Sequence, residues 1–386
     1  MKDDSTEISA RRRYFRYAVF SLTALLVMSL GVALVPRQAP APAETPFSER
    51  ARAAALADTL ALRAAGQALA GAGAAGDAPA STDVLDSVVT LLTIQARALV
   101  LPGDAPESPV ATEPGQETSP GPSGGRTAPA AAVVSPGPAS AAELAAALAA
   151  SGTRRLTDAL EADGGMARLL AGAGAAQVLA ARKVAAYAGV PPQELPSRLE
   201  HATPFEPPTP AAAECPGQVP SGEGQDIGTA VGPALAAAVE SERETVYGYQ
   251  AALTRLDPAA AAQASTLLAE HLDLAEEAEA YSALHCTAFP PTQPGYVLDA
   301  AFLDAPAAGL ARLESGALTA VGDVVALSTG PTRDWAVQAL VAGAQRTVLW
   351  GGDPGAVPGL TLDESRLPPL PGMPADAVPK AFPAAT

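Results

Sequence analysis

Four segments in the C-terminal half of the chain carry apolar residues at steps of three, four or their sum, the spacing that lines one face of an α-helix. In the first, Val231, Leu235, Val239, Val246, Tyr249, Leu253 and Leu256 form a stripe whose one missing step falls on Glu242. The second has Ala264, Leu267, Leu274, Ala278 and Tyr281, with His271 between Leu267 and Leu274. After a loop containing Pro290, Pro291 and Pro294, the third runs through Leu310, Ala317, Val321 and Val324 around Glu314. The fourth, Asp334 to Trp350, has Val337, Leu340, Val341, Ala344 and Val348 on its apolar side, and its nearest polar candidates are Gln338 and Gln345. Three helices are therefore each expected to turn one polar side chain inward. An isolated charge is costly to bury and neutralises unless it is paired, so Glu242, His271 and Glu314 need a cation, a donor or water.

The N-terminal half reads as alanine-rich helix. Helical stretches run from Ser48 to about Ala72 and from Ser81 to about Val100, the second with Val84, Val88, Leu91 and Leu92 on its apolar side and Ser81 as its cap. Residues 101–138 are rich in Pro, Gly, Ser and Thr and read as a flexible insertion. Helix resumes at Ser140-x-x-Glu143, a capping box leading into Leu144 and Leu148. It continues to Tyr187, interrupted at Gly164-Gly165 and loosened by Gly172 and Gly174. The region 48–189 is expected to form either a bundle of about four helices or extended stalk helices. Alanine buries little area, and at about 25 cal/mol per Å² this should be the less stable half. A proline-rich linker, 190–226, separates it from the helices at 227–352, and a tail at 353–386 has too little apolar content to build a core.

At the N-terminus, Arg11, Arg12, Arg13 and Arg16 close a basic segment, 1–16, expected to stay in the cytoplasm, and lead into the uncharged run 17–35. At a rise of roughly 1.5 Å per residue that run spans a bilayer's hydrocarbon core. It is read as a transmembrane anchor with the bulk of the chain outside. Ala39-Pro40-Ala41 and Ala41-Pro42-Ala43 resemble cleavage sites, so a removed signal helix and a secreted chain is the alternative. Arg12-Arg13-Tyr14-Phe15 also resembles the core of a twin-arginine export signal.

Composition sharpens this picture. The chain has 386 residues, 38 prolines and 34 glycines, with aromatic residues at 4%, which suits close-packed small-residue helices joined by long linkers. A net charge of −17, with the basic cluster confined to the N-terminus, excludes a nucleic-acid surface. The two cysteines, Cys215 and Cys286, are expected to form one disulfide in an oxidising exported setting. It would close a loop of about 70 residues, worth roughly 4 kcal/mol by chain entropy. Neither cysteine, and none of the serines, has a catalytic context, and no glycine-rich phosphate loop appears.

Glu242-x-x-x-Val246-Tyr247-Gly248-Tyr249, Ala269-Glu270-His271, Leu313-Glu314 and the closing helix ending at Trp350 together resemble a ferritin-like family of unknown function found in exported proteins of actinobacteria. The resemblance covers residues 227–352, about a third of the chain, and implies an all-α chain with a C-terminal ferritin-like four-helix bundle. Ferritin-type carboxylate bundles hold iron or manganese with Glu and Glu-x-x-His ligands, which makes Glu242, His271 and Glu314 candidate metal ligands. Leu268 stands three residues before His271, however, and the fourth helix has no Glu-x-x-His, so a two-metal ligand set is incomplete. The alternative is a buried polar network in which these three residues and a tyrosine hydroxyl, Tyr247 or Tyr249, bond one another without metal. The leading expectation is an envelope protein, joined to the membrane by its N-terminal helix, with a non-catalytic binding or structural role toward an envelope protein partner. An iron- or manganese-dependent oxidoreductase or storage protein is the rival.

Overall fold

A computed structural model describes residues 15, 17–26, 44–74, 80–100, 137–193, 227–288 and 290–370, and the chain divides into two units, 1–45 and 46–386. In the first unit residues 17–26 are helical, with exposed side chains including Phe20, Leu22 and Leu25. Residues 27–35 of the expected anchor, the arginines before it and the candidate cleavage sites lie outside the described residues. Among the described residues no helix is long and apolar enough to cross a membrane.

All regular structure described in the second unit is helical: α1 (Phe47–Ala74), α2 (Ala80–Leu99), α3 (Ala141–Glu161), α4 (Gly164–Ala188), α5 (Ile227–Ala252), α6 (Pro258–Leu284), α7 (Ala300–Asp304), α8 (Pro306–Leu327), α9 (Gly330–Leu349) and a 3₁₀ turn, Glu364–Arg366. Their boundaries follow local chemistry. Ser140 caps α3 by accepting from the Glu143 N–H at 3.2 Å, while the Glu143 carboxylate reaches back to the Ala139 N–H at 2.7 Å. Asp257 caps α6 ahead of Pro258, whose missing N–H is an orphan at that position anyway. Gly189, at φ 67°, ends α4 in the left-handed region.

α1 packs on α2 and α3, and α3 on α4; α5 packs on α6 and α8, and α8 on α9. The alanine-rich helices form the expected bundle of about four helices and not a stalk: α1–α4 pack on one another around Leu62, Leu92, Leu144 and Leu148. This bundle is not separate from the C-terminal helices. α4 lies on α8 and α9, and a single apolar core joins Ala51, Leu99, Leu156 and Leu170 to Val231, Leu235, Val324 and Leu340. Gly172 and Gly174 tighten this assembly where the sequence suggested looseness. A Cβ on Gly174 would stand 2.9 Å from the Gly152 carbonyl oxygen, so the glycines let α3 and α4 meet backbone to backbone.

Residues 353–370 are also ordered, against the expectation of a tail without a core. Val357 and Leu370 are buried, and the carbonyls of this segment accept from donors far away in sequence. Arg97 donates to the carbonyls of Glu364, Leu367 and Pro368, Gln95 to that of Ala356, and Arg168 to that of Gly359. Proline and glycine need no apolar side chain for this, only accessible carbonyls. Arginines also close helix ends: Arg52 donates to the Leu99 carbonyl at the end of α2, and Arg333 to that of Ala162 after α3, at 2.6 Å. The insertion at 101–136, the linker at 194–226 and residues 371–386 lie outside the described residues.

Candidate functional site: a buried ion-pair network

Glu242 on α5, His271 on α6 and Glu314 on α8 meet in the interior, at 4%, 0% and 0% exposure. The inward stripes place them there: each helix winds its apolar face toward the others, and the polar residue at the interrupted step follows. His271 Nδ1 lies 2.7 Å from Glu242 Oε2, and Nε2 lies 2.9 Å from Glu314 Oε1, so a carboxylate faces each ring nitrogen. Arg346 of α9 places its Nε 3.0 and 3.2 Å from the two oxygens of Glu314. The Tyr249 hydroxyl donates to Glu314 Oε1 at 2.6 Å and accepts from the Trp350 indole N–H at 2.6 Å. The Tyr249 ring stacks at a tilt on His271, with centroids 4.9 Å apart.

The contacts favour a charged imidazole. A neutral imidazole has one N–H and one lone pair, and here a lone pair would point at a carboxylate oxygen. The imidazolium donates from both nitrogens, so two cations, His271 and Arg346, balance two carboxylates. Burial alone pushes the His271 pKa down, but the hydrogen bonds to Glu242 and Glu314 outweigh it and hold the group above its ordinary value. Burial likewise pushes Glu314 up, and the Arg346 charge with the His271 and Tyr249 bonds brings it below the ordinary carboxylate range. Burial, then the neighbouring Glu314 charge, raises Tyr249, which keeps its proton and remains a donor.

This arrangement does not fit a metal centre. The carboxylates sit at opposite nitrogens of one ring and cannot converge on one ion through it, a doubly protonated imidazole has no lone pair to give, and Arg346 occupies Glu314. Among the described residues no group of three His, Cys, Asp or Glu side chains could hold a metal ion. The three residues expected as candidate ligands come together as ion-pair partners instead.

Tyr247 stays outside the network and packs on Tyr296, ring centroids 5.7 Å apart. Sequence reasoning missed Arg346 and Trp350. On α9 the expected apolar position Val348 is exposed, and Gln338 and Gln345 are half-buried away from the network. The other expected apolar positions, Val337, Leu340, Val341 and Ala344, are buried, and Arg346 lies on a second buried face with Ala336, Ala339 and Gly343, at steps of three and four, where small residues were the available signal. Two acids of α6 are engaged by side chains of neighbouring helices. Glu277 accepts from the Trp335 indole at 2.7 Å, and Glu279 pairs with Arg243 at 2.7 Å. Cys286 is disulfide-bonded and is the one non-glycine residue at positive φ among those described, at 54°. The other cysteine of the chain, Cys215, lies outside the described residues.

Residues 234–374 match a protein family described as a domain of unknown function (DUF4439). The match covers less than half of the chain, yet takes in the network residues on α5, α6, α8 and α9 together with the ordered segment after Trp350. No curated protein and no solved structure matches the chain.

Proposed function

We propose that the chain is an exported envelope protein, anchored in the membrane through residues 17–35, whose C-terminal helices form a ferritin-like four-helix bundle in a non-catalytic binding or structural role. The observation that carries this reading is the saturation of His271: with a carboxylate on each nitrogen and Arg346 on Glu314, the centre of the bundle is a closed, charge-balanced lock. Such a lock fixes the helix register and engages both nitrogens of His271. Export is supported by the arginine-flanked apolar run and by a cysteine engaged in a disulfide.

Elemental analysis of the purified chain after anaerobic loading with iron or manganese tests the reading. The expected result is well under one metal per chain, unchanged in Glu242→Ala and His271→Ala. Each variant should instead lose about 3–5 kcal/mol of stability, the usual cost of leaving one partner of a buried pair alone. Near-stoichiometric metal that disappears in both variants would overturn the proposal in favour of a metal-dependent protein.

A further inference from the structure

Arg346 belongs to two surroundings. Its Nε is committed to Glu314, and among the described residues its two Nη groups have no hydrogen-bond partner, although the residue is 6% exposed. The same residue lines a cleft of about 980 Å³ bounded by α2, α4, α6, α9 and the segment that follows α9. The walls include Val88, Leu91, Leu179, Leu267 and Val341. Arg182 and Lys183 also line it, and Lys183 donates to Ser87 at its edge. The acidic groups at the cleft, Glu270 and Asp353, are both solvent-exposed, and Asp353 already accepts from the Gly355 N–H. Arg346 is already balanced by Glu314, so the cleft holds two further cations, Arg182 and Lys183, against two exposed acids, and its basic groups gather on the α4 and α9 walls. Guanidinium N–H groups that, among the described residues, open onto the cleft without a protein acceptor suit an anionic oxygen, and the aliphatic walls suit hydrocarbon.

We infer that this cleft binds an anionic amphiphile, a carboxylate or phosphate monoester on an alkyl chain, with its head at Arg346 and Arg182 and its tail along Leu91, Leu179 and Val341. The volume falls within the range of roughly 300–1,000 Å³ usual for small-molecule sites. Because Arg346 also holds Glu314, the ligand head bears on the same side chain as the buried lock. The inference rests on the binding half of the proposed function. Its failure leaves the lock standing, because metal content and the stability of Glu242→Ala do not involve the cleft.

The test is photolabelling of the full chain with dodecanoate carrying a diazirine on its alkyl chain, followed by peptide mapping. Labelling of residues 17–26, whose apolar side chains are exposed, measures non-specific partitioning. Specific label is expected on the α2 peptide containing Leu91 and the α9 peptide containing Val341. Dodecanoate or dodecyl phosphate should displace it, the stronger competitor naming the head group, while dodecyltrimethylammonium should not. Combining Arg182→Gln with Lys183→Gln should weaken competition about tenfold, the order expected for losing charge-assisted bonds. Ala342→Trp, at a half-buried wall position, should fill the cleft and remove the specific label with helix content unchanged. Label that persists in Ala342→Trp, or that the cationic amphiphile displaces equally well, overturns the inference.

Discussion

At the scale of single residues, His271 sets how the fold responds to pH. Its pKa in the folded chain lies above the ordinary 6.5, so its stabilising charge is fully present below that pH and is lost as pH rises through the folded value. Glu314 lies below its ordinary 4.5, so its contribution is present above that pH and is lost as pH falls through the folded value. The melting temperature should therefore be highest between these two pH values and fall on both sides. The alkaline limb can be no steeper than about 1.4 kcal/mol per pH unit for one proton. Melting curves across pH 4 to 10 check this. In His271→Gln the alkaline limb should flatten relative to the parent, and an unchanged limb would mean that the imidazolium is not the group responsible.

At the scale of elements, α5, α6 and α8 were legible in the sequence because large apolar residues at helical spacing isolate one polar position each. Arg346 and the segment after α9 were not, for two separate physical reasons. On α9 the apolar side Val337, Leu340, Val341 and Ala344 was legible and is buried, but Arg346 lies with Ala336, Ala339 and Gly343 on a second buried face whose small residues form no large apolar stripe to set the cation off. The segment 353–370 is ordered by carbonyls whose donors, Arg97 and Arg168, lie more than a hundred residues earlier, and no local pattern encodes that pairing. Gly172 is where this segment meets α4: a Cβ there would come 2.5 Å from the Pro358 carbonyl oxygen and 2.6 Å from Val357 Cγ1. Gly172→Ala should cost about 1–3 kcal/mol, the usual range for overpacking, and lift the segment from α4. Limited proteolysis should then cleave within residues 353–370, alongside a lower denaturant midpoint. Gly165, with nothing within 4 Å of its Cβ position, is the control, and Gly165→Ala should leave both readouts near the parent.

At the scale of the molecule, composition and structure lead to different expectations for how residues 46–370 unfold. Alanine-rich helices alone bury little area, which argues for an N-terminal half that melts first. The packing argues otherwise: α4 sits on α8 and α9, Arg333 of α9 closes α3, Gln95 of α2 holds the carbonyl of Ala356, and one core spans both halves. Removing either half would expose apolar surface and orphan buried donors on the other, so the two should unfold together. Both tryptophans, Trp335 and Trp350, belong to the α9 region, and their fluorescence reports the C-terminal half. Hydrogen exchange of α3 and α4, followed by mass spectrometry across the same denaturant series, reports the other half. Coincident midpoints are expected, and the unfolding free energies read by the two probes should fall together, by roughly 2–4 kcal/mol, when the Cys286 disulfide is reduced. Loss of protection in α3 and α4 well before the tryptophan transition would show that the shared core is too weak to couple the halves, and that the alanine-rich region behaves as composition alone suggests.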